Sequence, residues 1–201
     1  MNLTVVKIGG SLCSDPLLPA WLDLLAELGR GRVTLVGGGG GFADEVRRAQ
    51  AHWQFSDLAA HNMAVLAMAQ TGYQMHALQP ALQLVTRGAD IPRVLRRGRT
   101  ALWLPFELQR EQVDATTNWS HTSDSIALEL ARRLNAEQMV VVKSCSVDPA
   151  LSVRELGEQG VIDPRFAELA EGAAFPIAVV HKAELERMRA MLLGEPVLRA
   201  Q

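Results

Sequence analysis

The chain has 201 residues, a formal net charge of −2 and 48% hydrophobic residues. A chain of this length buries about 70% of its unfolded surface in one domain, so its stability does not depend on disulfides or a structural metal. The near-neutral charge gives no general attraction to nucleic acid, and no apolar run approaches the roughly 20 residues of a membrane helix, so we expect neither partner.

The first half of the chain alternates short apolar runs with segments of helical spacing. Short β-branched runs predict buried strands at 3–8, 33–36, 82–85 and 101–104. Helical spacing predicts helices over 17–28, 42–53 and 57–78. Gly72 is a point where the third helix can break. The basic stretch Arg93 to Arg99 is predicted to be a solvated turn joining two strands, rather than a nucleic-acid site.

The second half continues the same alternation. Thr122 to Leu134 is predicted to be a helix, with Thr122 or Ser123 as its N-cap and Arg132 and Arg133 in its last turn. Further strands are predicted over 139–142 and 177–180, and further helices over 153–156, 164–169 and 183–193. The segment between Lys143 and Leu151 is too rich in Ser, Asp and Pro to be helical. We predict one three-layer αβα domain around a mainly parallel sheet.

Lysine and cysteine are both rare in this chain. Of the 20 basic residues 17 are arginine, and the lysines are Lys7, Lys143 and Lys182. Each lysine ends or follows an apolar β-like run, and ligands of parallel α/β sheets bind outside the carboxyl ends of the strands. The cysteines are Cys13 and Cys145, with no secretory segment before them, so we expect a reduced, cytoplasmic protein.

The first strand leads into the turn Gly9-Gly10-Ser11. Two adjacent glycines allow backbone N–H groups to approach an anion with no Cβ in the way, and Lys7 supplies a positive charge beside them. This pattern predicts a clamp for the terminal phosphates of a nucleotide, with Lys7 neutralising the transferring phosphoryl group. An ordinary βα turn with a snorkelling lysine is the alternative.

The second strand is followed by five consecutive glycines, Gly37 to Gly41. Each costs roughly 0.5–1 kcal/mol of backbone entropy relative to alanine, which a plain turn does not require. The next helix directs its first N–H groups at an anion, so we predict a carboxylate or phosphate of a second substrate here. Arg47 either pairs with that anion bidentately or is a surface arginine.

A polar segment, Asn118 to Ser125, precedes the helix of the second half. Asp124 is either a first-turn acid that complements the helix dipole or, facing the site, a carboxylate that positions lysine ammonium groups. His121 is expected to be a structural or rim histidine rather than a catalyst. The histidines and cysteines lack metal-binding spacing, so we predict no protein-borne metal site.

Three motifs occur in the order found in the amino acid kinase family, which includes acetylglutamate, aspartate, uridylate and isopentenyl-phosphate kinases. The motifs that carry this resemblance are Lys7-Ile8-Gly9-Gly10-Ser11, the glycine run from Gly37, and Thr122-Ser123-Asp124-Ser125-Ile126-Ala127. The resemblance implies an αβα fold that binds the phosphoryl acceptor through about residues 1–115 and ATP with magnesium through about residues 116–201. It also implies a homo-oligomer joined through the N-terminal halves.

The chain departs from the family pattern after the strand that leads to the nucleotide. Family members usually carry a Thr-Asp-x-Asp-Gly-like loop there, whereas this chain has Lys143-Ser144-Cys145-Ser146-Val147-Asp148, followed by Pro149 in place of the glycine. A further family lysine has no clear match, so Lys143 or Lys182 serves in its place or the role is vacant. Trp119, the Thr-Ser-Asp-Ser-Ile-Ala stretch and Val161 to Phe166 resemble a small branch that includes aminomethylfuran-phosphate kinases of methanofuran synthesis.

The resulting hypothesis is an ATP-dependent kinase that phosphorylates a small carboxylate or phosphate monoester, with magnesium carried on the nucleotide. The alternative is a nucleotide-binding regulatory or storage protein of the same fold that no longer transfers phosphate. Lys7 and Asp124 are the predicted catalytic residues. Predicted nucleotide-binding residues are Gly9, Gly10, Ser11, Lys143, Ser144 and Asp148. Predicted acceptor-binding residues are Gly37, Gly38, Gly39, Arg47 and Ser123.

Overall fold

Six short strands form one parallel sheet in the computed structural model, which describes residues 3–114 and 117–195. The strands are β1 (Thr4–Ile8), β2 (Val33–Gly37), β3 (Gln83–Val85), β4 (Ala101–Trp103), β5 (Gln138–Lys143) and β6 (Ile177–His181). Their order across the sheet is β3-β4-β2-β1-β5-β6, and every neighbouring pair is parallel. Strand β1, one of the two central strands, therefore has β2 on one side and β5 on the other.

Eight α-helices connect and cover these strands within the described residues. They are α1 (Leu18–Leu28), α2 (Gly40–Trp53), α3 (Asp57–Leu78), α4 (Ile91–Arg96), α5 (Ser123–Arg133), α6 (Val153–Glu158), α7 (Pro164–Ala170) and α8 (Leu185–Leu193). None of the described helices combines the length and the apolarity needed to cross a membrane.

The two faces of the sheet bury separate cores. On one face, Val6 and Ile8 of β1 pack with Trp21 of α1 and Met188 of α8. On the other face, Val5 and Val141 pack with the apolar sides of α5 and α7. All these strand residues are fully buried, as expected for a parallel sheet covered by helices on both sides. The predicted three-layer αβα architecture is confirmed.

The long helix α3 joins the two cores. Met68 lies in the core on the α5 side, whereas Met75 lies in the core on the α1 side. Gly72 does not interrupt the helix, so the break considered at that position is wrong. A Cβ at Gly72 would lie 2.1 Å from Leu104 Cδ2, which shows that this glycine allows close helix-to-sheet packing.

Helix α2 and the basic stretch from Arg93 are among the elements that differ from the sequence expectations. Helix α2 begins at Gly40 rather than Phe42, because Gly40 and Gly41 adopt the first helical turn. The basic stretch from Arg93 is not only a turn, since its first half belongs to α4. Arg93 and Arg96 occupy the last turn of that helix, where positive charge is favoured by the helix dipole. The predicted division of the chain near residues 115–116 lies outside the described residues.

Candidate active site

Strand alternation determines where two of the lysines project. Lys7 lies within β1, in register with Val141 of β5. Val141 belongs to the core on the α5 side of the sheet, and Lys143 follows it by two residues on the same strand. Because residues two apart on a strand share a face, both ammonium groups extend toward α5 near the carboxyl edge of the sheet.

One carboxylate lies between these two ammonium groups. Asp124 Oδ1 is 2.5 Å from Lys7 Nζ, and Asp124 Oδ2 is 2.6 Å from Lys143 Nζ. The Lys7 and Asp124 side chains are each 4% exposed and that of Lys143 is 14% exposed. We call Lys7, Asp124 and Lys143 the charge cluster. Asp124 thus faces the lysines, which corresponds to the role of a carboxylate that positions ammonium groups. Lys143 rather than Lys182 is the additional lysine beside it.

Burial and mutual attraction oppose each other in the charge cluster. Burial by itself would raise the pKa of Asp124, but the ammonium groups of Lys7 and Lys143 outweigh it and hold that pKa below its ordinary value. Burial lowers the pKa of Lys7, and the Asp124 carboxylate offsets part of that effect. With both lysines protonated, the cluster carries one net positive charge in a water-poor environment.

The remaining lysine lies in a different setting. Lys182 follows β6 and forms an ion pair with Asp15, while its backbone carbonyl accepts a hydrogen bond from Trp21 Nε1 at 2.8 Å. These contacts tie the end of β6 to the beginning of α1. Lys182 therefore has a structural partner of its own.

The two glycine turns contact each other directly. A Cβ at Gly10 would lie 2.4 Å from the Gly40 backbone nitrogen, and a Cβ at Gly38 would lie 2.6 Å from the Gly10 nitrogen and 3.2 Å from Ser123 Oγ. Gly40 has a φ of +54°, a conformation that favours glycine. The turns thus meet beside the first residue of α5, immediately before Asp124.

The five glycines of the second turn differ in how much space surrounds them. Gly37 ends β2, and a Cβ at Gly39 would lie 2.5 Å from Ala43 Cβ. A Cβ at Gly41, by contrast, would have no neighbour within 4 Å. Close approach therefore requires glycine at Gly38 to Gly40, whereas the space around Gly41 does not.

A pocket lies between α2, α3 and the segment before α5. Its walls are formed by Gly39, Ala43, Arg47, Asp57, Ala60, His61, Ala64, Val65, Met68, Asn118, Trp119, His121, Thr122, Ser123 and Ile126. The space between these walls, including the open mouth, is about 550 Å³. We call this space the α2–α3 pocket. It brings together Gly39, Arg47 and Ser123, three of the residues expected from the sequence to bind the acceptor.

Arg47 is held in place at the wall of the α2–α3 pocket. Its guanidinium carbon lies 4.3 Å from the centre of the Trp119 ring, and its Nη1 donates to Asp44 Oδ1 at 3.0 Å. Trp119 Nε1 in turn donates to Gln50 Oε1 at 2.6 Å. These contacts limit the rotamers of Arg47, so less side-chain entropy remains to be lost when it binds an anion.

His121 is buried at the same pocket. Its Nε2 lies 3.1 Å from Glu129 Oε1, and this hydrogen bond lowers the pKa of Glu129. His121 therefore has a structural carboxylate partner on α5, which corresponds to the structural rather than the rim alternative of the sequence expectation.

A second depression lies beyond the carboxyl ends of β5 and β6. It is lined by Ser146, Val147, Pro149, His181, Glu184 and Arg187. The last three of these residues had no sequence signal, because only the adjacency of β5 and β6 brings them to the loop. We call it the β5–β6 depression.

The remaining predicted nucleotide-binding residues belong to the first glycine turn and to the segment after β5. Ser11 Oγ and Ser144 Oγ are 2.5 Å apart and so join the first glycine turn to the end of β5. Gly9 N donates to Val142 O at 2.9 Å, so its N–H is already used by the sheet. Asp148 is exposed, and its Oδ1 accepts from Ala150 N at 2.9 Å, which places it in a local turn.

Asp163 is a site residue that the sequence reasoning missed. Its carboxylate accepts hydrogen bonds from Thr122 and Ser125 at the start of α5 and from Phe166 N at the start of α7. Asp163-Pro164 is a recognisable helix-start signal, but only the fold places it against α5.

Among the residues that the structure describes, no group of three His, Cys, Asp or Glu side chains is arranged to hold a metal ion. Both Asp124 oxygens face ammonium groups, so this carboxylate is not available as a direct metal ligand.

The contact between the glycine turns yields a stability prediction. Gly10→Ala should lower the free energy of unfolding by about 1–3 kcal/mol, because its Cβ meets the backbone of Gly40. Gly41→Ala is the matched control and should be neutral or stabilising by up to about 1 kcal/mol, since it lies in a helix with open space around it. Urea denaturation measures both; equal losses would contradict the inferred contact.

The charge cluster yields a pH prediction. Because the pKa of Asp124 is lowered in the folded state, its carboxylate stabilises the fold above the unfolded pKa of about 3.9 and loses that effect as pH falls through the folded pKa. Asp124→Asn should therefore cost about 3–5 kcal/mol at pH 7 by leaving buried ammonium groups unpaired. The difference from wild type should narrow below about pH 3.9 in urea titrations. A pH-independent difference would contradict this account.

Comparisons with known proteins agree with this architecture. The solved structure of uridylate kinase from Archaeoglobus fulgidus superimposes with a TM-score of 0.73 at 17% identity and covers 96% of both chains. UMP kinase from Bacillus anthracis superimposes with a TM-score of 0.71 at 16% identity, covering 98% of this chain and 93% of that one. At these identities the likeness establishes the fold.

Comparison of the amino-acid sequence with those of known proteins identifies a relative and a family. The chain is 29% identical over 139 residues to (5-(aminomethyl)furan-3-yl)methyl phosphate kinase from Methanocaldococcus jannaschii, an alignment covering 68% of this chain and 63% of that protein. The chain thus matches somewhat less than two thirds of this relative's length. Residues 2–146, which include both glycine turns and the charge cluster, match the model of the amino acid kinase family. The chain belongs to the amino acid kinase family.

Proposed function

We propose that the protein is an ATP-dependent kinase that transfers the γ-phosphoryl group to a small phosphate monoester. The observation that carries this proposal is the charge cluster, a buried carboxylate between two ammonium groups, next to the point where two glycine turns meet. Buried positive charge and backbone N–H groups are what a transferring phosphoryl group requires. The kinase relatives support the same reaction class.

The nucleotide is proposed to bind on the β5–β6 side of the cluster. Gly9, Gly10 and Ser11 would contact its terminal phosphates, with Ser144 beside them. The β5–β6 depression offers His181 and Arg187 near the carboxyl edge of the sheet, the edge where parallel α/β folds bind ligands. Asp148 lies on the loop that lines this depression. Magnesium bound to the nucleotide would neutralise phosphate charge during transfer.

The acceptor is proposed to occupy the α2–α3 pocket. Gly37, Gly38 and Gly39 lead into this pocket from β2, and Ser123 connects it to the charge cluster. Alanine side chains on α2 and α3 leave room for a small apolar body, while Arg47 provides a preorganised positive charge for a phosphate. The phosphate monoester in the relative's name supports this acceptor class over a carboxylate, and a methanofuran-type precursor is a specific candidate.

Each member of the charge cluster has a distinct proposed role. An ammonium group has three N–H donors, so Lys7 and Lys143 can each contact Asp124 and still donate to phosphate oxygens. Asp124 keeps both groups in place without acting as a base. A phosphate monoester is already ionised at neutral pH, so its oxygen attacks the γ-phosphorus without prior removal of a proton. Positioning and charge neutralisation then supply the catalysis.

One observation favours the alternative of a silent nucleotide-binding protein. The loop after β5 has Pro149 where the family has glycine, and Asp148 is engaged in a local turn. The intact charge cluster favours the kinase. Burying two lysines beside one aspartate costs desolvation free energy, and a role in phosphoryl transfer accounts for this arrangement.

We also propose that the protein forms a homo-oligomer through α3. Met63, Leu66 and Tyr73 lie along one side of this helix and are 39%, 38% and 50% exposed. An exposed apolar stripe of this kind is typical of interfaces.

Replacement of Lys7 tests the kinase assignment. Lys7→Ala should lower kcat by at least about 10²-fold, since it removes a buried positive charge from the transferring group, while Lys182→Ala should remain within about threefold of wild type. The measurement is formation of ADP and phosphorylated product with magnesium–ATP and a panel of phosphate monoesters and carboxylates, including aminomethyl-substituted furanyl methyl phosphates.

Three results are distinguishable in that experiment. Turnover of a phosphate monoester that is lost in Lys7→Ala supports the full proposal. Turnover of a carboxylate alone would retain the kinase and overturn the acceptor class. Tight nucleotide binding without turnover across the panel would favour the silent protein.

Arg47 tests the location of the acceptor. Arg47→Ala should raise KM for the phosphate monoester by about tenfold or more and leave KM for ATP nearly unchanged, because a charge-assisted hydrogen bond contributes about 1.5–3 kcal/mol. Arg48→Ala is the matched control, since Arg48 is exposed and pairs with Glu45. Steady-state kinetics with each substrate varied separately measure both KM values. A change confined to KM for ATP would show that the acceptor does not bind beside Arg47.

A further inference from the structure

Asp163 connects the beginnings of two helices. Its Oδ2 accepts from Thr122 Oγ1 at 2.7 Å, from Thr122 N at 3.3 Å and from Ser125 N at 3.2 Å. Its Oδ1 accepts from Ser125 Oγ at 2.5 Å and from Phe166 N at 2.6 Å. Asp163 is 9% exposed, so this carboxylate is buried and is satisfied entirely by these donors.

These bonds replace the cap that α5 lacks. The N-cap residue of α5, Thr122, makes no side-chain hydrogen bond to its own helix and instead donates its hydroxyl to Asp163. The first N–H groups of a helix need partners from outside it, and Asp163 supplies one for Ser125 N. Asp124 lies between the two anchored residues, Thr122 and Ser125. Its position is therefore fixed from both sides by a residue on another helix.

We infer that Asp163 is a positioning residue of the charge cluster, which holds the first turn of α5 so that Asp124 stays between the two lysines. The role of this cluster in phosphoryl transfer rests on the proposed function, whereas the positioning itself does not. Asp163 lies beyond the span of 2–146 that matches the family model. The C-terminal part of this chain thus supplies a support for the cluster from outside that span.

The carboxylate also acts on the cluster through its charge. The charged groups facing Lys7 are Asp124 from α5, Lys143 from β5 and Asp163 from the start of α7. Burial lowers the pKa of Lys7 most strongly, and the negative charge of Asp163 is one of the influences that raise it. This charge effect links Asp163 to the cluster in addition to its hydrogen bonds with α5.

The chain offers a direct way to observe this effect. It contains three lysines, so selective isotope labelling of lysine side chains gives three assignable NMR signals. The Lys182 signal is an internal reference, because its ammonium group pairs with Asp15. The variants are Asp163→Asn, which keeps the shape of the side chain, and Asp163→Ser, which can still cap α7 but cannot span to α5.

Ser152→Ala is the matched control. Ser152 caps α6 and forms a reciprocal capping box with Glu155, but it has no bond to α5. This variant loses a helix cap in the same part of the chain without touching the cluster. It should leave the lysine signals and kcat as in wild type.

The expected NMR result is a lower titration midpoint for Lys7 in both Asp163 variants, with the Lys182 signal unchanged. This readout does not require any enzymatic turnover, so it tests the link between Asp163 and the charge cluster even if the proposed function is wrong. An unchanged Lys7 midpoint in both folded variants would overturn the inference. A Lys7 midpoint that shifts equally in Ser152→Ala would overturn it as well, because the effect would then follow general loss of stability.

Kinetics provide the second readout if the wild type is a kinase. Both Asp163 variants should lower kcat by about 10- to 100-fold, because small misplacements of catalytic groups have effects of this size, while KM for ATP stays within about threefold. Wild-type kcat in Asp163→Asn would contradict the inference. Absence of turnover in the wild type itself would instead contradict the proposed function.

Discussion

The structure depends on one arrangement of charge, in which the buried carboxylate of Asp124 is shared by the ammonium groups of Lys7 and Lys143. Two buried ammonium groups repel each other and are costly to remove from water. Neither would be tolerated at this depth without the carboxylate, and the carboxylate alone would be equally unfavourable. The three groups therefore require one another, and the surrounding fold has to keep them within hydrogen-bond distance.

Each layer of the fold contributes to that requirement. The sheet sets the lysines on the same face because Lys7 is in register with Val141, two residues before Lys143 on the adjacent strand. Helix α5 brings Asp124 to them, and Asp163 holds the start of that helix. The glycine turns approach to distances that exclude a Cβ, so that backbone N–H groups and the charge cluster occupy one small region. In the proposed function, this region receives a phosphoryl group from one side and an acceptor from the other.

Much of this arrangement could be predicted from the sequence because the signals are local. Lys7 with Gly9 and Gly10 follows a β-branched run, and the alternation of strands and helices specifies an αβα domain. The rest depends on contacts between distant segments. Asp163 resembles an ordinary helix cap in the sequence, and only the packing of α7 against α5 reveals its second role. Gly41 is the opposite case, in which the sequence suggested a role that the packing does not require. It belongs to the glycine run, but no neighbouring atom prevents a larger residue there.

The choice between Lys143 and Lys182 has the same physical origin. Both lysines follow apolar strand-like runs, and composition does not separate them. The sheet order places Lys143 next to β1, whereas β6 lies at the edge and directs Lys182 to Asp15. Strand order is a property of the whole fold, so neither residue's immediate neighbours in the sequence could decide which lysine joins Asp124.

The central claim is that the charge cluster is where a phosphoryl group is transferred. The most direct measurement is a crystal structure with magnesium, a non-hydrolysable ATP analogue and a phosphate monoester bound together. We expect the terminal phosphate of the nucleotide to lie within hydrogen-bond distance of Lys7 Nζ and the Gly10 backbone, with the acceptor phosphate approaching from the α2–α3 pocket. Nucleotide phosphates bound away from Lys7, with the charge cluster unchanged and in contact with solvent only, would contradict transfer at this cluster.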